Sequence, residues 1–495
     1  MTGSSKTETG APASRALTWD AIKWPTVKAQ VRRLQMRIAK AFREKKYGKV
    51  KSLQWLLTHS LYAKLLAVKR VTSNTGAKTP GIDKVTWNTS KQKLIAAMSL
   101  KRHGYQTQPL RRIYIPKKQK GKLRPLSIPV MQCRAQQALH LQALEPVTEM
   151  LSDKNAYGFR PKRSTADAIA QCYLLLAKKG SAQYILEGDI KACFDTISHK
   201  WLMDNVPMDK QMLKLWLTAG YIYEGQYFDT DQGTPQGGVI SATLLNVTLS
   251  GLEQVVKSIT HKRKDKCNIC VYADDFIITC ASREVLVDIV KPAVSKFLVE
   301  RGLFLSEEKT KLTHIEDGFD FLSINIRKYK GKYLPKPSDD GVKRFLNEIR
   351  ATIKSHPTAK TENLIRMLNL KIRGWTNYHR HNCAKKTFQY VSYWIFHAIW
   401  QWAVRRHPNK GRKWIKQKYF RRTDTQNWIF SAKYKNKYGE NRIDLLDAAK
   451  VTIMRYVKIK SDANPYKPEY EEYFRARMNS GASMPALKWE QHHLE

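Results

Sequence analysis

The sequence predicts an α+β protein in which a sheet domain is flanked by helices. Three observations indicate this class. Strand-like and helix-like segments alternate between residues 91 and 330, strand segments there carry acids at their ends, and the chain becomes helical after residue 342. With 495 residues, of which 42% are apolar, the chain is long enough for two to four folded domains.

The first 83 residues predict basic helices and a loop. Residues 1–16 are rich in Ser, Thr, Gly and Ala, which predicts a disordered start. From Trp24 to Val71, apolar residues recur every three or four positions between Lys and Arg, as in helices with one packed face and one basic face. The Gly and Pro residues of SNTGAKTPGID (73–83) then predict a loop.

The middle of the chain predicts a sheet with interleaved helices. RRIYIPKKQKGKLRPLSIP (111–129) predicts a β-hairpin that turns at Gly121, and helices are expected at 132–151 and 165–179. QYILEGDIKACFDTI predicts a strand that ends in acids, DQGTPQGGVISATLLN a loop that opens a helix, and residues 269–280 a pair of strands. LFLSEEKTKLTHI and FDFLSINI predict further short strands, and the composition of residues 327–341 predicts a linker.

The charge of the chain indicates its class of partner. Lys and Arg outnumber Asp and Glu by 88 to 42, which gives a formal net charge of +46. A chain with this charge repels itself unless a polyanion neutralises it, so we expect RNA or DNA as the partner. The alternative is a ribosome-associated or merely very soluble basic protein. No apolar run approaches the roughly 18–20 residues of a membrane span, so no membrane partner is expected.

The seven cysteines are scattered along the chain. This usage predicts free thiols in a reducing compartment. Cys267 and Cys270 form a CxxC pair, but no second pair or nearby histidine completes a zinc site, so we expect ordinary strand cysteines.

Two adjacent acids interrupt the apolar stretch CNICVYADDFIITC (267–280). Asp274 and Asp275 would repel each other there and would be costly to desolvate without a compensating positive charge. Magnesium prefers oxygen ligands, and Asp189 would supply a third carboxylate if its strand neighbours theirs. Three carboxylates could then hold two magnesium ions for in-line phosphoryl transfer. The alternative is a surface turn with two solvated aspartates.

These motifs together resemble the palm of a reverse transcriptase. The palm motifs are DIKACFD (189–195), GTPQGGVIS (233–241) and YADD (272–275). The chain is most similar to group II intron-encoded reverse transcriptases and maturases, whose other blocks occur here in order: TPGID (79–83), IPKKQKGKLRPLSIP (115–129), YGFRPKRS (157–164), LSEEKTKL (305–312), FDFL (319–322) and RGWTNYHR (373–380). The resemblance implies a right-hand polymerase fold, with an antiparallel sheet in the fingers and palm and a helical thumb.

The resemblance also implies roles for the matching residues. Asp189, Asp274 and Asp275 would be the catalytic carboxylates that hold two magnesium ions, with the backbone carbonyl of Ile190 as a further ligand. The nucleotide-binding residues would be Lys117 and Arg124 at the triphosphate, Gln236 in the pocket wall, Phe194 beneath the sugar and Lys309 as a supporting cation. The ring of Phe194 would exclude a 2′-hydroxyl and so select deoxynucleotides. Each residue also has a structural alternative. The two hairpin cations could be solvated charges, and Gln236 could belong to a tight loop. Phe194 could be a core residue, and Lys309 an exposed strand lysine.

Some positions depart from the family pattern. Ser127 stands where RPLGIP would have Gly, Ala242 stands where a Pro is common, and Ser323 replaces the Gly expected in FLGF. None of them is an expected metal ligand, so activity is still expected. These substitutions would affect only how the primer is positioned.

Basic and aromatic residues are interleaved after residue 342. Basic side chains neutralise phosphates, and exposed rings stack on unpaired bases. The candidates for RNA binding are Arg373, Arg380, Arg405, Arg406, Lys410, Arg412 and Lys413. For most of the tryptophans in this region, a packed helical core is the favoured interpretation. The resemblance implies that this region is a thumb and maturase domain that binds group II intron RNA.

The expected domain organisation has five segments. They are a disordered start (1–16), a basic helical extension with a template-contacting loop (17–90), fingers and palm (91–330), a thumb and maturase domain (331–422) and a C-terminal nucleic-acid-binding region (423–495). Many members of the family continue into a metal-binding endonuclease domain. The sequence ends at ALKWEQHHLE, so no endonuclease domain and no cleavage of target DNA are expected.

The function implied by the resemblance is that of an RNA-directed DNA polymerase. It would extend a DNA primer on an RNA template with dNTPs, and as a maturase it would support splicing of intron RNA and retrohoming into target DNA. Its location would be the cytoplasm of a bacterial-type cell, in a ribonucleoprotein or at the nucleoid. The alternatives are a free-standing reverse transcriptase adopted by its host, for instance in defence, and a non-catalytic maturase that only folds RNA.

Overall fold

The computed structural model of the protein describes residues 18–116, 121, 123–424, 426–436 and 439–479. The expectation of a disordered start at residues 1–16 therefore falls outside the described residues.

Helices form the N-terminal part of the structure. They are α1 (Trp24–Arg43), α2 (Tyr47–His59), α3 (Leu61–Thr72) and α4 (Ser90–Ser99). Their apolar faces form one core with α5 (Met131–Leu151), a helix that is buried along almost its whole length. Arg134 of α5 donates to the carbonyl oxygens of Gly76 and Thr79, and this anchors the loop that precedes α4.

The predicted basic hairpin is present in the fingers sheet. It consists of β1 (Leu110–Pro116) and β2 (Leu123–Ile128), which pair in antiparallel fashion. The sheet has the strand order β2-β1-β4-β5, with β4 (Tyr221–Tyr223) and β5 (Gln226–Phe228) added from later in the chain. The pairing of β1 with β4 is parallel, so this sheet is mixed rather than purely antiparallel.

The palm contains an antiparallel sheet in the order β6-β7-β3-β8. Its strands are β3 (Tyr184–Asp189), β6 (Asn268–Tyr272), β7 (Asp275–Cys280) and β8 (Lys311–His314). The helices around it are α6 (Thr165–Leu176), α7 (Cys193–Thr196), α8 (His199–Asn205), α9 (Lys210–Leu217), α10 (Ser241–Leu249), α11 (Leu252–Ser258) and α12 (Lys291–Val299). Phe276 and Ile278 lie in one core and Ile277 in another, because successive side chains point to opposite faces. Burial of both faces explains why the strands on either side of the two acids are mostly apolar.

The prediction of a linker at residues 327–341 is wrong. A sheet of β9 (Phe319–Phe321), β10 (Ile324–Tyr329) and β11 (Lys332–Pro337) occupies most of this stretch. The lysines hide the strand pattern in the sequence. Lys328 is buried and its ammonium donates to the Lys178 carbonyl oxygen and the Ser181 hydroxyl, which satisfies a charge that would otherwise oppose burial.

The thumb is helical with a small sheet attached. Its elements are α13 (Asp339–Lys354), α14 (Thr361–His379), α15 (Lys385–Arg406), α16 (Arg412–Tyr419), β12 (Phe420–Thr423), β13 (Gln426–Asn436) and β14 (Gly439–Asp444). Trp402 and Phe430 are buried in one shared core, and the ring of Trp375 stacks on Phe345 at 4.6 Å. The tryptophans therefore pack largely as core residues, and this core runs across the boundary expected between residues 422 and 423.

The last described segment returns from the thumb to the palm. It ends in α17 (Glu471–Asn479), where Arg477 forms a buried ion pair with Asp167 of α6 at 3.0 Å. Asn464 donates to the carbonyl oxygen of Glu149 in α5. Within the described residues, this segment therefore contacts protein along much of its length.

The seven cysteines are free thiols, and six of them are buried. Cys270 lies within β6, as expected for a strand cysteine, and Cys267 is the residue directly before this strand. Among the residues that the structure describes, no helix combines the length and apolar character needed to cross a membrane.

Candidate active site

The pairing of two palm strands brings the three candidate carboxylates to one end of the sheet. β3 pairs directly with β7, and Asp189 is the partner of Asp275 in the register. Asp274 lies in the turn between β6 and β7, where Ala273 has a positive φ of 58°. The condition on which the sequence argument depended, that the two acid-bearing strands are neighbours, is met.

The three carboxylates affect one another electrostatically. Burial, followed by the negative charges of Asp274 and Asp189, raises the pKa of Asp275 to about 7. Burial also raises the pKa of Asp274, and the charge of Asp189 adds to this rise. The site thus holds closely spaced negative charge that is only partly compensated by the protein.

Lys309 contacts this cluster. Its Nζ atom lies 2.9 Å from Oδ2 of Asp189, and its charge acts to lower the pKa of Asp275. Among the described residues, no three His, Cys, Asp or Glu side chains are spaced as ready metal ligands. The donor chemistry, carboxylate oxygens under mutual repulsion, fits a divalent cation.

Ile190 follows Asp189 and continues the contact of β3 with the LSEEKTKL block. It is buried and forms an isolated bridge with Leu305. The backbone oxygen of Asp189 accepts a hydrogen bond from Ser306 N at 2.8 Å. These bonds hold the end of β3 in place beneath the acids.

The basic hairpin reaches toward the acids. Arg124 of β2 is exposed, and its charge acts to lower the pKa of Asp274, which places the guanidinium within electrostatic range of the cluster. Lys117, its predicted companion, lies outside the described residues. Ser127, at the base of β2, is buried and donates its N–H to the carbonyl oxygen of Gln236 at 2.7 Å. The hairpin is therefore attached to the turn that carries Gln236.

Phe194 and Gln236 lie on two segments that are bonded to each other. The Phe194 carbonyl oxygen accepts from Thr234 N at 2.6 Å, and the Gln236 amide contacts the Asp195 carboxylate at 3.3 Å. The ring of Phe194 is half-buried and packs against the palm core. Phe194 thus follows the strand that ends at Asp189, and its segment is bonded to the turn that carries Gln236.

The candidate RNA-binding residues do not form one group. Arg405, Lys410, Arg412 and Lys413 are exposed around the junction of α15 and α16. Arg406 is largely engaged within the protein, because it donates to the Ala359 carbonyl oxygen and lies over the Trp402 ring.

The remaining two candidates lie on α14 and directly after it, at the opposite end of α15 from the other candidates. Arg373 is exposed, and Arg380 directly follows the helix. Arg380 precedes the start of α15, so the length of α15 separates it from Arg405 by roughly 30 Å at 1.5 Å per residue.

Sequence reasoning left out three residues that the structure places at the site. Glu187 shares a face of β3 with Asp189 and contributes to the raised pKa of Asp275. Asp195 contacts Gln236, and the ring of Phe159 lies beside that of Phe194. All three residues stand in sequence stretches that were already singled out, and this was the only signal for them in the sequence. Their contacts become visible only when the distant segments are paired in the structure.

Three parts of the chain match known protein families. The chain matches the reverse transcriptase (RNA-dependent DNA polymerase) family at residues 115–326, the N-terminal domain of reverse transcriptase at 19–100, and the group II intron maturase-specific domain at 342–420. It is 33% identical over 311 residues to Protein YkfC of Escherichia coli, which covers 54% of this chain and 81% of that protein. The chain belongs to the group II intron-encoded reverse transcriptase and maturase family. It is an RNA-directed DNA polymerase, with RNA as a partner.

Other relatives of this reverse transcriptase span more of the chain. The group II intron-encoded protein LtrA of Lactococcus lactis is 26% identical over 457 residues, covering 73% of this chain and 76% of LtrA. A solved telomerase from Candida albicans, in complex with a fragment of telomeric RNA, has a TM-score of 0.38 at 12% identity and covers 63% of this chain and 64% of the telomerase chain. The expected polymerase fold, with a helical region after the palm, is confirmed by the family matches and the architecture.

Proposed function

We propose that this reverse transcriptase extends the 3′-hydroxyl of a DNA primer on an RNA template, using dNTPs and two magnesium ions. The observation that carries the proposal is the register of β3 and β7, which places Asp189 opposite Asp275 and beside Asp274 at one end of the palm sheet. Acids from two distant motifs are thus carried at the same end of the sheet, and Lys309 contacts one of them.

The residues of the chain have separate tasks in this proposal. Asp189, Asp274 and Asp275 would hold the metal ions, with the Ile190 carbonyl oxygen as a further ligand. Bound magnesium would favour ionisation of the primer hydroxyl and stabilise the negative charge of the triphosphate and of the pyrophosphate that leaves. Arg124, with Lys117, would bind the triphosphate through its basic hairpin.

The nucleotide would lie between the hairpin and the palm. Gln236 would line the pocket, since its turn is bonded to both Ser127 and the Phe194 segment. Phe194 would lie beneath the sugar and leave no space for a 2′-hydroxyl. Lys309 would hold Asp189 until the metal ions are bound, and would then be free to contact the substrate as a supporting cation.

We also propose that the thumb binds group II intron RNA and supports splicing and retrohoming into target DNA. Support comes from the maturase-specific match at residues 342–420 and from the exposed cations at the junction of α15 and α16. This activity would place the protein in a cytoplasmic ribonucleoprotein or at the nucleoid. We also propose the predicted extension and the fingers and palm as separate parts of the protein, with a thumb that includes the sheet of β12 to β14, since one core joins these strands to the thumb helices.

Primer extension tests the catalytic proposal. The protein is assayed on an RNA template with a DNA primer, magnesium and dNTPs, beside the variant Asp274→Ala and the control Asp317→Ala, whose carboxylate is exposed after β8. We expect extension by the wild type and the control and a loss of at least about a thousandfold in Asp274→Ala, since one metal ligand is missing. Equal activity of all three proteins would contradict the assignment of the site.

A further inference from the structure

The segment Tyr157–Gly158–Phe159–Arg160 contains a large apolar side chain that the fold does not cover. Phe159 is 44% exposed, although Tyr157, two residues earlier, is almost fully buried. Phe159 also has a φ of +54°. A bulky residue other than Gly rarely adopts this conformation, and where it does the surrounding structure must impose it.

The neighbours of Phe159 are held firmly on both sides. Tyr157 N donates to the Val271 carbonyl oxygen of β6 at 2.9 Å. Arg160 forms a buried, two-pronged ion pair with Glu149 of α5, with N–O distances of 2.8 and 3.0 Å. Because these contacts fix the backbone before and after Phe159, the position of its ring follows from the fold rather than from packing of the ring itself.

The fixed segment presents Phe159 to the candidate nucleotide pocket. The centroid of its ring lies 6.5 Å from that of Phe194, with the planes at 71°, which is an edge-to-face contact. Gly158 adjoins the turn that carries Asp274, since an added Cβ would lie 2.3 Å from Ala273 N. The segment therefore contacts the turn of Asp274 through Gly158 and the proposed sugar-selecting residue through the ring of Phe159, which remains partly exposed.

We propose that Phe159 is a positioning residue that sets sugar specificity by holding the ring of Phe194 against the sugar of the incoming nucleotide. The inference rests on the proposed role of Phe194. An edge-to-face contact from a rigid segment limits rotation of the Phe194 ring, so the space for a 2′-hydroxyl stays closed. Without Phe159, the Phe194 ring would have room to move aside and ribonucleotides would enter more readily.

The test is incorporation of a single dGTP or GTP on an RNA template with a DNA primer, with kcat and KM measured for each. We expect Phe159→Ala to lower the ratio of kcat/KM for dGTP over GTP by about three- to tenfold, the range that one aromatic contact supports. Phe159→Tyr keeps the ring and should keep the ratio. Leu174→Ala, which removes another exposed apolar side chain, should not change it.

Phe159→Gly separates the loss of the ring from backbone strain that alanine would suffer at a positive φ. Gly accepts a positive φ without strain, so this variant should melt no lower than Phe159→Ala while losing the same discrimination. The double variant Phe159→Ala/Phe194→Ala should discriminate no worse than Phe194→Ala alone, because Phe159 acts through Phe194.

Several results would overturn the inference. An unchanged ratio in Phe159→Ala, or an effect of Phe159→Ala that persists in the Phe194→Ala background, would contradict it and leave the proposed function intact. An unchanged ratio in Phe194→Ala would instead remove the proposed role of Phe194, and the inference with it. Absence of extension by the wild type would overturn both the polymerase proposal and the inference.

Discussion

Gly158 shows how a single residue can control the geometry of the site. A Cβ at this position would lie 2.3 Å from Ala273 N and 2.9 Å from the carbonyl carbon of Tyr272, and both atoms are backbone atoms that cannot move aside. We expect Gly158→Ala to displace the turn that carries Asp274, to reduce primer extension at least about tenfold and to cost about 1–3 kcal/mol of stability. Thermal melting and primer extension measure the two effects.

Gly48→Ala is the matched control for that substitution. Gly48 lies in α2, and an added Cβ would meet no atom within 4 Å. Alanine favours the helix over glycine, so stability should rise by up to about 1 kcal/mol with extension unchanged. Equal effects of the two substitutions would show that Gly158 has no special role at the turn.

His140 predicts a dependence of stability on pH. His140 is a buried residue of α5, and burial lowers its pKa to about 4 from an ordinary value near 6.5. Between these values the unfolded chain binds a proton that the folded protein excludes, so stability falls as the pH decreases from 6.5 toward 4. His140→Gln should reduce the loss between pH 7 and pH 5 by about 2 kcal/mol, at 1.36 kcal/mol per pH unit.

Urea unfolding at pH 7 and pH 5 measures this difference. His103→Gln replaces an exposed histidine and serves as the control. If both variants retain the pH dependence of the wild type, the acid sensitivity does not arise from His140.

At the scale of elements, the C-terminal helix depends on one buried ion pair. Arg477 of α17 and Asp167 of α6 have side chains that are only 5% and 0% exposed. Arg477→Met would leave the Asp167 carboxylate buried without its cation, and we expect a loss of about 3 kcal/mol. Arg475→Met, on the exposed face of the same helix, should cost less than about 0.5 kcal/mol.

Urea unfolding of both variants gives the comparison. A loss in Arg477→Met no larger than that in Arg475→Met would show that the return of the chain to the palm does not depend on this pair.

At the scale of the whole molecule, a net charge of +46 predicts strongly salt-dependent binding of nucleic acid. Arg412 and Lys413 are exposed at the start of α16. If each contacts a phosphate, Arg412→Ala/Lys413→Ala should reduce the slope of log affinity against log salt by about 1.4 to 1.8. Fluorescence anisotropy with a structured RNA over a series of KCl concentrations measures this slope.

The variant Arg263→Ala/Lys264→Ala also removes one arginine and one lysine, but from another exposed turn. It controls for the change in net charge. An equal change of slope in both double variants would show that the α15–α16 junction is not a preferred RNA-binding surface.

Local sequence determined much of this protein. The apolar run around Asp274 and Asp275, the basic hairpin and the order of the motifs depend on residues close together in the chain, and they were sufficient to predict a polymerase fold and its acids. Charge composition predicted a nucleic-acid partner because summed charge requires no knowledge of the fold.

Only the tertiary structure decided which distant residues meet. The pairing of Asp189 with Asp275, the contact of Phe159 with Phe194 and the engagement of Arg406 inside the thumb each join segments that are far apart in the chain. FDFLSINI predicted the start of β10, but the end of β10 and all of β11 escaped prediction, because the bonds that satisfy buried Lys328 come from residues about 150 positions earlier. Such contacts depend on strand register and on long-range packing, which local composition does not encode.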